Sequence, residues 1–200
     1  MWAKLESNTI VEILTRPKAL NIGDVKYPQN IFSMWTTAEL AVIGIVPVTV
    51  NNTNLKDKEY YINTNQSFAY STETGVATAT YGTATAKAIA DTLYTAQDET
   101  DGLGTEGEVK QRGLKYNHKE IINQQAAGIL QPTDWMIIRA ADGGTAVPSD
   151  ITTKRAAVRT KANSMQAQID GAANVDALAA LYVYNDAETP VRPLGEFPTV

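Results

Sequence analysis

Trp2-Ala3-Lys4-Leu5-Glu6-Ser7-Asn8-Thr9-Ile10-Val11-Glu12-Ile13-Leu14 is the stretch on which the fold turns. Trp2 to Glu6 alternates apolar and polar, the period of a strand whose side chains point to opposite faces. Ser7-Asn8 has the chemistry of a two-residue turn. Thr9 to Leu14 is β-branched and apolar. Together they predict a β-hairpin. Arg16-Pro17 ends the second strand, because proline cannot donate to a ladder. An irregular stretch runs on through Gly23-Asp24 and Tyr27-Pro28.

Working outward, a short helix with marked ends follows. Thr36 and Glu39 have the spacing of a capping box. Ala38, Leu40, Ala41 and Ile43 fill the turns, and Gly44 stands where a left-handed C-terminal residue is wanted. Further strands are expected at Ile45 to Val50, Glu59 to Asn63, Gln66 to Ser71 and Val76 to Tyr81. Asn63-Thr64-Asn65 and Glu73-Thr74-Gly75 supply turns between them. Residues 1–82 therefore read as a small, mostly antiparallel β module.

At residue 83 the composition changes, and residues 83–182 read as a helical module. Thr85 to Gln97 is Ala-rich, with Ala86, Ile89, Ala90 and Leu93 at helical spacing. Asp98 to Gly107 is acidic and Gly-rich and predicts a flexible loop. Glu108 to Leu130 resumes a helical pattern, weakened by Gly113. Pro132-Thr133-Asp134 opens a short helix from Trp135 to Ala141, closed by Gly143-Gly144. Ser149 or Asp150 is expected to cap a long helix to Ile169, with Ile151, Val158, Ala162, Met165 and Ile169 as its apolar stripe. Asn174 or Asp176 begins a last short helix through Leu181. Residues 183–200, with Pro190, Pro193 and Pro198, are expected to be an extended tail. The fold class is α+β: a small antiparallel β module, a helical module and an extended C-terminal tail.

A chain of 200 residues, 44% hydrophobic and 20% charged, can bury a core of one or two domains. Its 17 Lys plus Arg against 22 Asp plus Glu leave a net charge of −5. That balance, with no basic cluster, argues against nucleic acid as a partner, since phosphate binding needs surplus cations. The absence of cysteine excludes disulfides, thiolate metal sites and Cys nucleophiles. No apolar leader pattern follows Met1. The most apolar stretch, Ala38 to Val48, contains Glu39, Gly44 and Pro47 and is too short to cross a bilayer, so no membrane role is expected.

Gly102-Leu103-Gly104-Thr105-Glu106-Gly107 spells G-x-G-x-x-G. A dinucleotide site needs a buried strand before that motif and a helix opening on it. Here a helix is expected before it, and Asp98, Glu99, Asp101 and Glu106 would repel phosphate. A helix–loop–helix calcium frame places Glu99, Asp101, Gly102 and Glu108 on ligand or turn positions. It also puts Gln97 where an anionic first ligand belongs and Gly104 at the apolar pairing position. His118, the only histidine, lacks a second His or a Cys for zinc and a visible partner for base catalysis. It reads as an exposed helix-surface residue. No G-x-S-x-G elbow, P-loop or H-E-x-x-H occurs. The expectation is a chain with no catalytic residues, no cofactor and no metal.

Trp2, Trp35 and Trp135 are the large groups, each able to anchor a local core or an interface. Arg139, Arg155 and Arg159 follow Trp135 and are candidate interface cations, with a solvated helix face as the plainer reading. Leu194 and Phe197 in the Pro-rich tail are candidate docking groups, because proline has already restricted the segment they sit on.

Two stretches carry a resemblance. Trp2-Ala3-Lys4-Leu5-Glu6, Ile10-Val11-Glu12-Ile13, Tyr27-Pro28, Ile31-Phe32, Trp35-Thr36, Glu39-Leu40 and Ile43-Gly44-Ile45 resemble the opening of phage tail-fibre-assembly-like and related tail proteins. Pro132-Thr133-Asp134-Trp135-Met136-Ile137-Ile138-Arg139, then Gly144-Thr145-Ala146-Val147-Pro148, Arg155 and Val158-Arg159, is similar to the helical C-terminal part of those proteins. The Thr-, Ala- and Asn-rich, Cys-free style is similar to cyanophage virion proteins. The resemblance implies a non-enzymatic protein of the virion tail, present in the host cytoplasm during assembly. Its implied partners are other phage tail or fibre proteins, or further copies of itself. The alternative it implies is a tail-fibre assembly chaperone absent from the mature particle. Residues 45–131 match no chaperone pattern, which favours a permanent structural role.

Overall fold

The computed structural model describes residues 1–198. The protein is α+β and divides into two compact units, one spanning Met1–Thr85 and the other beginning at Ala86.

The first unit holds β1 (Trp2–Glu6), β2 (Thr9–Leu14), β3 (Leu20–Ile22), β4 (Val25–Tyr27), α1 (Ile31–Met34), α2 (Thr37–Val42), β5 (Ile45–Asn51), β6 (Tyr61–Ile62), β7 (Gln66–Ser71) and β8 (Val76–Tyr81). Five of these strands form a sheet in the order β2-β1-β5-β8-β7. The N-terminal hairpin forms as expected. Ser7 at φ 50° and Asn8 at φ 63° supply the left-handed pair that matches strand twist. Alternation then divides the side chains between two faces. Trp2 packs with Leu14, Leu20, Ile31, Leu40 and Ile45, while Ala3 joins Val46 and Ala77 on the other side. Fully buried Leu40 and Ile45 each contribute about 1.5–3 kcal/mol.

Two details of this sheet depart from the simplest reading. The β5–β8 ladder is parallel, whereas β1–β2, β1–β5 and β7–β8 are antiparallel. Pro47 lies inside a central strand, which it can do because β5 changes partner there. Ile45 to Pro47 pair with β1, and Val48 to Asn51 pair with β8. The strand expected at Glu59 to Asn63 shrinks to Tyr61–Ile62. The Asp57 side chain accepts from the Glu59 amide at 2.8 Å, and its carbonyl accepts from the Tyr60 and Tyr61 amides, which makes a turn instead.

The capping box of α2 is present in both directions. The Thr36 amide donates to Glu39 Oε2 at 2.7 Å, and the Glu39 amide donates to Thr36 Oγ1 at 3.2 Å. The Thr36 amide, and then the Thr36 hydroxyl, donate to the exposed Glu39 carboxyl and hold it below its usual range. Gly44 ends the helix at φ 77°. A Cβ there would stand 2.7 Å from the Leu5 carbonyl oxygen, which accepts no such approach, so both conformation and space require glycine.

After β9 (Thr85–Ala86), at the boundary, the second unit holds β10 (Thr92–Leu93), α3 (Ala96–Thr100), β11 (Val109–Gln111), α4 (Leu114–Leu130), a 3-10 turn (Gln131–Thr133), α5 (Asp134–Ala141), α6 (Ser149–Gly171) and α7 (Val175–Ala180). The helix expected from Thr85 to Gln97 does not form. Its chain is used instead to start α4: the Ala88 and Ile89 carbonyls accept from the Leu114 and Lys115 amides, both at 3.0 Å. These are orphan donors of a helix first turn. A helix through residues 85–97 would spend those carbonyls internally. Asp91 completes the arrangement by accepting from the Gly113 amide at 2.8 Å and from Arg112 at 2.6 Å. Those two bonds, the Gly113 amide first, hold its carboxyl below the ordinary range. The helix expected from Glu108 accordingly begins only at Leu114, with Gly113 as its N-cap.

α4 and α6 pack antiparallel, as three contacts along their length record. Lys115 Nζ donates to the Asp170 carbonyl, Gln166 to Asn123, and Arg155 to the Leu130 carbonyl. Leu114, Ile122 and Ala126 face Val158, Ala162, Met165 and Ile169 across a buried seam. Pro148, with no side-chain cap, precedes α6, so Ser149 and Asp150 do not cap it; the Thr152 and Thr153 hydroxyls bond back to Pro148 and Ser149 carbonyls instead. Asn174 does cap α7, accepting from the Ala177 amide at 2.8 Å.

The tail does not extend away from the unit. Asn185 closes a loop with Val191 through two bonds of 3.0 Å. The Leu194 amide then donates to the Leu181 carbonyl, and Lys161 Nζ donates to the Leu194 carbonyl at 2.9 Å. Leu194 is 0% exposed. Burying an isobutyl side chain against the helices outweighs the freedom an extended tail would keep. Thr199 and Val200, expected in that tail, lie outside the described residues.

Candidate interaction surface

The residues singled out by sequence fall into three environments. In the first unit, Trp2 is half-buried, its ring 5.5 Å from that of Phe32, and Trp35 meets the ring of Tyr27 edge-on at 5.8 Å. Trp2 is a core group; Trp35, 36% exposed, lines a shallow concavity with Glu39, Val42 and Ile43.

The second environment is internal to the helical unit, and three residues expected at the surface are buried there. Arg155 is 7% exposed rather than on a solvated face. Its guanidinium donates to the Leu130 carbonyl at 2.8 Å, to Thr133 Oγ1 at 2.5 Å and to Asp134 Oδ1 at 2.7 Å. It therefore satisfies a carbonyl at the C-terminal end of α4 and anchors the start of α5. Its Nε remains without a partner. Hydrogen bonds from a charged donor are worth about 1.5–3 kcal/mol each, so Arg155 joins the helices. Leu194 is the second: it faces the interior of its own unit, with Phe197 half-buried near it in sequence. Leu194, being fully buried, is not free to dock on a neighbour. Arg159 remains exposed.

His118, expected on the surface, is also buried, at 3% exposure. Its Nδ1 lies 2.8 Å from the Tyr182 hydroxyl, and the two rings sit 4.9 Å apart. Arg192 covers the Tyr182 ring from 5.7 Å and binds Glu196. The signal was present in the spacing: His118 follows Leu114 by four and precedes Ile122 by four, on the stripe that faces α6.

The acidic segment is closed by its own hydrogen bonds rather than a flexible loop. Asp98 caps α3 with Thr95, and Lys110 Nζ donates to it at 2.6 Å. Those bonds, with the Lys110 ammonium foremost, hold the carboxyl at about 2. Glu99 accepts from the Glu106 amide, and Asp101 from Gln97. The chain beyond Glu108 is β11, not a helix, so the second arm of a helix–loop–helix calcium frame is replaced by a strand. Among the described residues no group of three or more His, Asp or Glu is arranged to hold a metal ion. The G-x-G-x-x-G segment follows a helix and leads into a strand, the reverse of the dinucleotide order. Among the described residues no helix is long and apolar enough to cross a membrane.

The third environment is the surface of the helical unit, and α5 dominates it. This helix contains no buried residue. Trp135 is 53%, Ile137 42% and Ile138 63% exposed. Arg139 lays its guanidinium over the Trp135 ring at 4.8 Å, and its Nε is buried without a hydrogen-bond partner. Trp135 and Arg139 are thus the pair of sequence candidates that the structure brings together at a surface. The apolar exposure of Ile137 and Ile138 between them was not singled out from sequence. A second apolar patch, also missed, gathers Val183, Tyr184 and Val191 beside Pro193. Tyr184 donates to Glu196 at 2.5 Å. That bond raises the phenol and lowers the carboxyl from their ordinary values.

No protein-family model, curated protein or solved structure matches this chain.

Proposed function

We propose that this chain is a non-enzymatic structural component of a phage tail, in the baseplate, fibre or fibre-attachment region. It acts by packing against other phage tail or fibre proteins. The observation that carries the reading is α5, a helix whose Trp135, Ile137 and Ile138 face solvent. Contiguous apolar surface of that kind is what a protein-binding site presents before its partner covers it. A tryptophan stacked with an arginine is also the composition in which interface energy concentrates. The same residues lie in the Pro132-to-Arg159 stretch that resembles tail-fibre-assembly-like proteins. Its place is then the virion tail, reached from the host cytoplasm during assembly.

Quantitative mass spectrometry of purified particles tests this. The expected result is peptides of the chain in tails at a fixed ratio to the other tail proteins. Presence in the infected cell with absence from purified particles would replace this reading with that of a tail-fibre assembly chaperone.

A further inference from the structure

The face that α5 leaves uncovered is complementary to itself. At 3.6 residues per turn, Asp134, Trp135, Ile138 and Arg139 lie on one side of the helix. An acid stands at its start and a base in its last turn. If a second α5 lies antiparallel, with the twofold between Met136 and Ile137, Trp135 of each copy meets Ile138 of the other. Arg139 of each then meets Asp134 of the other.

Both charged groups have capacity for this. Asp134 is half exposed and holds Arg155 through Oδ1. Arg139 makes no ion pair among the described residues, and its guanidinium lies over the Trp135 ring of the same face. We infer that α5 is a homotypic contact, pairing antiparallel with the α5 of a second copy through a Trp135–Ile138 apolar centre and two Arg139–Asp134 ion pairs.

The area sets the strength. Trp135 and Ile138, both partly exposed, supply roughly 200–250 Å² per copy, well under the ~800 Å² per partner of a standard stable interface. The pair is therefore weak in solution. It gains by avidity where copies are held side by side in an assembly. The isologous form closes at two copies and does not propagate.

The inference deepens the packing role proposed above, and the two can fail separately. A chain that stays monomeric yet is present in purified tails removes the self-pairing and leaves the packing role. A chain that dimerises yet is absent from particles does the opposite. The test is sedimentation equilibrium of the full chain from about 10 µM to about 1 mM. The expected result is a monomer–dimer equilibrium that tightens at low salt. Ile138→Asp, at an exposed position, and Arg139→Glu, which sets acid against Asp134, should each weaken it at least tenfold. Val183→Asp, on the other apolar patch, should leave it within twofold. Circular dichroism at 222 nm checks that each variant is folded. A wild-type chain that remains monomeric throughout, association that climbs past the dimer, or an Ile138→Asp variant that associates like the wild type overturns the inference.

Discussion

Replacing Leu194 by alanine tests where the C-terminal segment belongs. The side chain is 0% exposed, and the backbone on either side is fastened by the Leu194 amide to Leu181 and by Lys161 to the Leu194 carbonyl. Leu194→Ala leaves those backbone bonds available and removes only the buried part of the isobutyl group. A buried Leu→Ala costs about 2–5 kcal/mol, depending on how far the site collapses. Leu194 lies on a segment between a closed loop and the chain end, which can settle inward more easily than a helix can. The lower part of the range applies, about 2–3.5 kcal/mol. For a unit of this size that lowers the melting temperature by roughly 8–18 °C. Far-UV circular dichroism suits the measurement, because α4 and α6 dominate the helical signal. Denaturant titration gives the free energy, and an unchanged m-value confirms that only stability moved. Phe197→Ala, at a half-buried position, serves as the comparison and should cost less than half as much. A Leu194→Ala variant within about 0.5 kcal/mol of the wild type, the range of surface substitutions, would refute the seating of the tail on its own helices. It would return the segment to the role of a free docking arm.

Gly113→Ala should destabilise the helical unit by at least ~2 kcal/mol, because the added Cβ would stand 2.3 Å from the Ala90 carbonyl group, forcing apart the segment that caps α4; thermal unfolding followed at 222 nm reads this. Asp98 gives a pH signature. Its folded value of about 2 lies below the ordinary 3.8, so the stabilisation it lends the 95–110 segment is complete above the ordinary value. It is lost as pH falls from about 4 through about 2. The Thr95 amide resonance should titrate with a midpoint near 2, and in Lys110→Met the midpoint should move up toward the ordinary carboxylate range.

These outcomes bear on how the helical unit carries its exposed helix. Arg155 ties the α4 terminus and the first residue of α5 to α6, so α5 begins from a fixed point although none of its own residues is buried. A binding helix held at its root needs less ordering when a partner arrives, and that lowers the entropic cost of association.

The local features of this protein are legible in its sequence because their physics is set by near neighbours along the chain. The Trp2-to-Leu14 alternation with Ser7-Asn8 makes a hairpin, Thr36 and Glu39 cap α2, Gly44 ends it, Asn174 caps α7, and Val158, Ala162, Met165 and Ile169 mark the buried side of α6. Each depends on backbone geometry and a neighbour one turn away. What tertiary structure decided depends on groups far along the chain. Residues 88 and 89 leave the helical state because the orphan amides of Leu114 and Lys115 take their carbonyls. β5 finds β8 in parallel across the intervening turns. Arg155 goes inside because the Leu130 carbonyl, Thr133 and Asp134 meet its charge there. Leu194 folds back because the seam beside Leu181 and Lys161 has room for it, while the apolar run of α5, with no seam to enter, stays at the surface. Periodicity tells which side chains would be buried if a partner surface exists; only the assembled chain determines whether that surface is its own.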